Sequence, residues 1–215
     1  MREAPRYSRS ERVADALVHI LGITAALAAC AALVVALPRP AGVRLLVAVG
    51  LYAVGGLAVL ICSALYNLSG EGPRRALLRR LDHAAIFAMI AGTYTPVALL
   101  AIGNTWGWGL LAIVWTGAAG GAALKLLAPG RVERVSIAAY LLLGWAGLVA
   151  LDALLAALPP RDLALLAGGG LLYSLGVAVH LSTRLPYHNA LWHVLVLFAA
   201  ACHYAVILHL VQMAG

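Results

Sequence analysis

Apolar runs of about 20 residues recur along the whole chain, and a run of that length is what an α-helix needs to cross a bilayer. None of the runs alternates apolar and polar residues in the manner of an outer-membrane strand, so a lipid-facing barrel is excluded. Charged residues make up only 11% of the 215 positions, and 64% are hydrophobic. A soluble domain carries about 25% charged residues. A chain this poor in charge cannot clothe itself in a polar surface, and lipid must be its solvent. The fold class expected is therefore an all-α integral membrane bundle.

The periodicity and the breaks predict seven helices over 13–37, 43–66, 81–102, 107–127, 135–158, 162–182 and 187–211. The breaks carry turn chemistry: Pro38-Arg39-Pro40, Gly70-Glu71-Gly72-Pro73, Gly103-Asn104, Pro129-Gly130, Pro159-Pro160 and Pro186. Connections this short make sequential helices antiparallel neighbours. The expected organisation is an N-terminal tail over 1–12, one membrane domain over 13–211 and a short tail over 212–215. The first run, about 25 residues long and carrying Asp15 and His19, is too long for the core of a signal peptide and is expected to be retained. Glycines 117, 120 and 121, and 168 to 170, are expected at close helix contacts.

The net charge of +7 does not indicate nucleic acid, because the basic residues sit in short clusters between apolar runs. Arg2, Arg6, Arg9, Arg12, Arg74, Arg75, Arg79, Arg80, Lys125, Arg131, Arg134 and Arg184 fall on one side, 12 of the 15 basic residues. Arg39, Arg44 and Arg161 fall on the other. The positive-inside rule puts the N-terminus in the cytoplasm of a multi-pass protein of the inner (plasma) membrane, and the C-terminus outside. Cys30, Cys62 and Cys202 all lie inside apolar runs and are expected to be small buried hydrophobes without a disulfide.

Ionisable groups inside a membrane are costly, so their positions point to function. Asp15 and His19 open the first helix. Ser63 and Asn67 end the second, Asp82 and His83 open the third, and Asn189 and His193 open the seventh. In an antiparallel bundle all of these fall in one layer near the cytoplasmic face. Asp15 with His19, Ser63 with Asn67, and Asn189 with His193 are each four residues apart and share a helix face. They are expected to wall one polar pocket. His188 is offset from His193 by five residues and is a poor same-face partner. His203, deeper in the seventh helix, is expected to be a hydrogen-bonded core histidine, and His209 to lie at the outer interface.

Several segments carry a resemblance over nearly the whole chain. LDHAAIFAMIAGTYTP at 81–96, PYHNALWHVLVLFAAACH at 186–203, SALYN at 63–67, ERVADALVH at 11–19 and GGLLYSLG at 169–176 resemble the hemolysin III family, within the progestin and adipoQ receptor superfamily. Asp15 stands where that family usually has asparagine. The resemblance implies seven helices, a cytoplasmic N-terminus and a zinc ion near the cytoplasmic face. It implies metal-ligand positions at Asn67, Asn189 and His193, with Ser63 as the motif serine and Asp82 holding the zinc-bound water. Two of those three ligand positions, histidine in the family, are asparagine here. An amide oxygen is a harder and weaker donor for zinc than imidazole. Either the metal is lost, or His19, His83 or His188 supplies what is missing, or the two asparagines are engineered; His19 is the best placed substitute.

Three functions follow as alternatives. One is a membrane protein that senses lipid state or serves membrane homeostasis, its polar pocket taking a fatty acid or lipid head group through a degenerate zinc site. The second is a zinc-dependent hydrolase of a lipid amide or ester, akin to a ceramidase, with Asp82 as base and Ser63 as its polar partner. The third is a pore-forming hemolysin, which the apolar outer halves of the helices argue against.

Overall fold

The computed structural model describes residues 7–128 and 133–214. Arg2, Arg6, Pro129, Gly130 and Arg131 lie outside the described residues, as does the side chain of Arg134. Among the described residues seven membrane-length helical spans are present, in the predicted order. The helices are α1 (Arg9–Ala36), α2 (Val43–Leu68), α3 (Pro73–Pro96), α4 (Thr105–Leu127), α5 (Glu133–Gly144), α6 (Leu151–Ala157), α7 (Pro160–Leu181) and α8 (His188–Met213). A π-helical turn, Val97–Ile102, extends α3. A 3-10 segment, Ala146–Ala150, joins α5 to α6 into one interrupted span.

Three boundaries differ from the sequence expectation, each for a local reason. Helix α1 starts at Arg9 because Ser8 and Glu11 form a capping box: the Ser8 hydroxyl accepts from Glu11 N (3.2 Å) and Glu11 Oε2 accepts from Ser8 N (2.8 Å). The Gly70–Arg80 segment, expected as a loop, is helical from Pro73. Proline suits the first helical position and arginine is a good helix former. Arg75 fastens this turn, donating to Ser69 O at 2.6 Å and lying over the Tyr66 ring. The fifth span breaks after Gly144, where Tyr94 takes over two backbone groups. Its hydroxyl donates to Gly144 O (2.7 Å) and accepts from Gly147 N (2.9 Å).

Helices α2 and α3 pack most closely. A Cβ on Gly55 would stand 2.6 Å from Ala88 O, and one on Gly92 would stand 2.7 Å from Leu51 O. Both glycines are therefore required for that approach. Of the glycines expected at contacts, Gly117, Gly121, Gly169 and Gly170 face neighbouring side chains. Gly120 and Gly168 face open space, so for these two the expectation fails. One apolar core lies around Phe87, Ala91, Val114 and Ala118, between α3 and α4. A second joins α1, α2 and α8 through Leu33, Leu45, Val49, Ile207 and Val211. The outward faces of the helices remain apolar, with Leu21, Val35, Val54 and Leu171 more than half exposed. Such faces require lipid around them.

Candidate functional site

The antiparallel packing brings the start of α1, the end of α2, the early part of α3 and the start of α8 to one end of the bundle. Asp15, His19, Ser63, Asp82 and His193 are all buried there. Asn67 and Asn189 are half-buried. The expectation of one polar layer holds for Asp15, His19, Ser63, Asn67, Asp82, Asn189 and His193, which lie together.

One hydrogen-bonded chain crosses three helices. Asn189 Nδ2 donates to Asn67 Oδ1 at 3.2 Å. Asn67 Nδ2 donates in turn to Ser63 O at 3.0 Å and to Ser63 Oγ at 3.2 Å. Ser63 Oγ is 3.3 Å from His193 Nε2, and His193 Nδ1 is 2.7 Å from Asp15 Oδ1. The short last link defines the tautomer: with the Asp15 carboxylate as acceptor, Nδ1 carries the proton and Nε2 offers a lone pair to Ser63. Asp82 hydrogen-bonds Ser63 from the α3 side.

His19 completes the cluster. Its Nε2 lies 3.5 Å from Asp15 Oδ2, and its ring packs 4.4 Å, centroid to centroid, from that of His193. That Nε2 is buried and makes no hydrogen bond, an arrangement that normally costs about 1–3 kcal/mol.

The donor chemistry separates two possible metal sites. At the positions implied by the resemblance, Asn67 and Asn189 are engaged with each other and offer amides, which zinc disfavours. The three-histidine set does not fit. Asp15, His19 and His193 do place one ligand atom each within 4.8 Å of one another, and this buried cluster could bind a metal ion. Two imidazoles and a carboxylate suit several divalent transition metals.

Other sequence-marked groups fall outside the cluster. His188 points away, as expected: its Nε2 is 3.3 Å from the Tyr7 hydroxyl and its Nδ1 3.2 Å from Leu185 O. Burial raises the Tyr7 phenol above its ordinary value of 10.0. Tyr187 N donates to Glu11 Oε1 at 3.0 Å, so the capping box of α1 also clasps the start of α8. Tyr140 donates to His83 O. His203 donates from Nδ1 to Ala199 O at 2.9 Å and lies against Tyr173, in keeping with a hydrogen-bonded interior histidine. His209 is not merely interfacial, because its Nδ1 stands 2.6 Å from Oδ2 of the fully buried Asp162.

The role of Asp15 was the principal omission from the sequence reading, which placed it in the pocket wall and gave it no chemical part. Its four-residue spacing from His19 was the available signal.

A family model described as "Haemolysin-III related" matches residues 7–204. The chain is 33% identical over 198 residues to "Hemolysin-3" of Bacillus cereus, covering 92% of this chain and 90% of that one. It is 31% identical over 202 residues to "Hemolysin-3 homolog" of Bacillus subtilis (strain 168), covering 94% and 95%. A more distant relative, "Monocyte to macrophage differentiation factor" of Homo sapiens, is 28% identical over 171 residues, covering 73% and 67%. With seven membrane-length spans among its described residues and a match spanning nearly its whole length, the chain belongs to the haemolysin-III-related family of multi-pass membrane proteins, within the progestin and adipoQ receptor superfamily.

Proposed function

We propose that this protein senses or responds to membrane lipid, holding the polar end of a fatty acid or lipid in the layer lined by Ser63, Asn67 and Asn189. The observation that supports this most is the amide chain from Asn189 through Asn67 to Ser63. It presents donors and acceptors together at a half-buried rim, beside helix faces that lipid must cover. A carboxyl or ester head group needs both kinds of partner, while its acyl chain stays between helices. The excess of arginines at this end of the bundle supports a position for the layer at the cytoplasmic leaflet of an inner (plasma) membrane.

The zinc site in this reading is degenerate. Should the chain hold an ion, Asp15, His19 and His193 are the residues that would hold it, and the ion would supply Lewis acidity to a bound carbonyl. Asp82 and Ser63 lie beside that cluster and would orient the head group.

The test is photo-crosslinking of the purified chain in nanodiscs with a diazirine-bearing palmitic acid. Capture should map to peptides around Asn67 and Asn189 and fall about tenfold in the Asn67→Ala, Asn189→Ala double variant. Capture spread evenly over the lipid-facing helices and unchanged in that variant would refute the reading.

A further inference from the structure

We infer that the groove along the lipid-facing side of the start of α1 binds an anionic glycerophospholipid, with Arg9, Ser10 and Tyr187 holding its phosphate. The groove is open, has a volume of about 700 Å³ and is lined by Arg9, Ser10, Val13, Ala14, Leu17 and Tyr187. It is separate from the polar layer. At about 100° per residue, Ser10, Val13, Ala14 and Leu17 share one face of α1. Asp15 and His19 lie on the opposite face, buried in the bundle. Occupancy of this groove therefore does not depend on the head-group reading above.

Tyr187 turns a helix face into a groove by walling it from the α8 side. Its φ is 57°, and it is the one non-glycine residue with positive φ among the described residues. A bulky side chain seldom adopts that conformation, and such strain gathers where a residue serves a ligand. The surroundings hold it there: Glu11 Oε1 accepts from Tyr187 N at 3.0 Å, and Leu191 N donates to Tyr187 O at 2.9 Å. The same contacts occupy the nearby carboxylate. Glu11 gives its other oxygen to Ser8 N, so both its oxygens are engaged with backbone and not with the groove.

The rim is cationic and rich in donors. The exposed Arg9 guanidinium makes no ion pair or hydrogen bond among the described residues, and neither does the Tyr187 hydroxyl. Ser8 Oγ lies 3.0 Å from Ser10 Oγ and already accepts from Glu11 N. Ser8 can thus donate to Ser10, which leaves the Ser10 proton for an acceptor in the groove. No carboxylate lines the groove, so a phosphate finds partners there and the ammonium of a zwitterionic head group finds none. Below the rim, Val13 and Leu17 are 52% and 55% exposed and form an apolar floor. Arg9 and Leu17 are about 12 Å apart along the helix at 1.5 Å per residue, enough to run from a phosphate to the upper acyl chain. A soluble phosphate would use the rim alone, whereas a lipid covers rim and floor together.

The test uses the full chain in nanodiscs with a phosphatidylglycerol bearing a diazirine high on one acyl chain, and with its phosphatidylcholine counterpart. Peptide mapping should place the phosphatidylglycerol adducts on residues 13–17, at about five times the yield from phosphatidylcholine, the preference one interfacial arginine supplies. Arg9→Gln should abolish that preference, Arg9→Lys should keep most of it, and Arg74→Gln, at another turn of the same end, should leave it unchanged. Tyr187→Gly relieves the left-handed backbone, so the chain should unfold no earlier on heating, yet adduct yield should fall with both lipids because the wall is gone. Equal yields from the two lipids on the unmodified chain, or a preference that survives Arg9→Gln, would overturn the site. Loss of the adducts on adding millimolar glycerol 3-phosphate would also overturn it, by making the groove a site for a soluble phosphate ester.

Discussion

Asn189 and Asn67 meet amide to amide across α8 and α2, Nδ2 to Oδ1 at 3.2 Å, at the two positions where the family resemblance calls for imidazoles on a metal. Asn67 Oδ1 thereby accepts from Asn189, and Asn67 Nδ2 donates onward to Ser63, so the Asn67 amide is committed to protein partners rather than to an ion. The unmodified chain should accordingly purify with substoichiometric zinc, while Asn67→His combined with Asn189→His should raise the content toward one ion per chain. Structural zinc in peptide sites is held with about 10–16 kcal/mol shared over four ligands, so two imidazoles represent a large part of the affinity. Elemental analysis of the two proteins decides it. One zinc per unmodified chain would place the ion on Asp15, His19 and His193, and His19→Ala should then remove it.

The link between Asp15 and His193 is short, buried and between helices α1 and α8. Asp15→Ala would strand the Nδ1 proton of His193 in a dry environment, at a cost of about 1–3 kcal/mol. Asp15→Asn retains an acceptor oxygen and should cost less than half of that. Thermal unfolding in detergent, followed by tryptophan fluorescence, should rank the unmodified chain above Asp15→Asn and Asp15→Ala lowest. Equal destabilisation by the two substitutions would mean that the carboxylate does not accept this proton.

Much of this is legible in the sequence. The seven spans follow from hydrophobic length, which the bilayer makes nearly sufficient. The convergence of Ser63, Asn67, Asp82, Asn189 and His193 follows from antiparallel order plus the four-residue spacing within helices. What spacing could not supply was direction across helices. Asp15 and His19 share a face, but only the packing of α1 against α8 shows that the carboxylate meets His193 and not Asn189. The interruption of the fifth span was equally hidden, since it depends on the hydroxyl of Tyr94, some 50 residues earlier in the chain. The Asp162–His209 pair joins residues 47 apart, and neither belongs to a recognisable motif.

Orientation in the bilayer is the next expected outcome. Glu71 lies in the exposed turn before α3, and Arg74, Arg75, Arg79 and Arg80 follow it. With the natural cysteines removed, Glu71→Cys should react with a membrane-impermeant maleimide only after permeabilisation of the cells, because arginine-rich turns stay in the cytoplasm. Labelling in intact cells would invert the topology and move the polar layer to the opposite leaflet.

The far end of the bundle offers an asymmetric prediction. Asp162 is fully buried in the first turn of α7, and His209 Nδ1 on α8 is 2.6 Å from its Oδ2, while the histidine side chain remains 37% exposed. Removing either partner breaks the same contact, but the consequences differ. His209→Ala leaves a buried carboxylate whose remaining support is the positive end of the α7 dipole, and should cost about 1–3 kcal/mol. Asp162→Asn leaves a histidine that can still reach water, together with a neutral amide, and should cost under about 1 kcal/mol. Thermal unfolding should therefore find His209→Ala the less stable of the two. The reverse order would mean that Asp162 is held by its own helix terminus, with the histidine only resting against it.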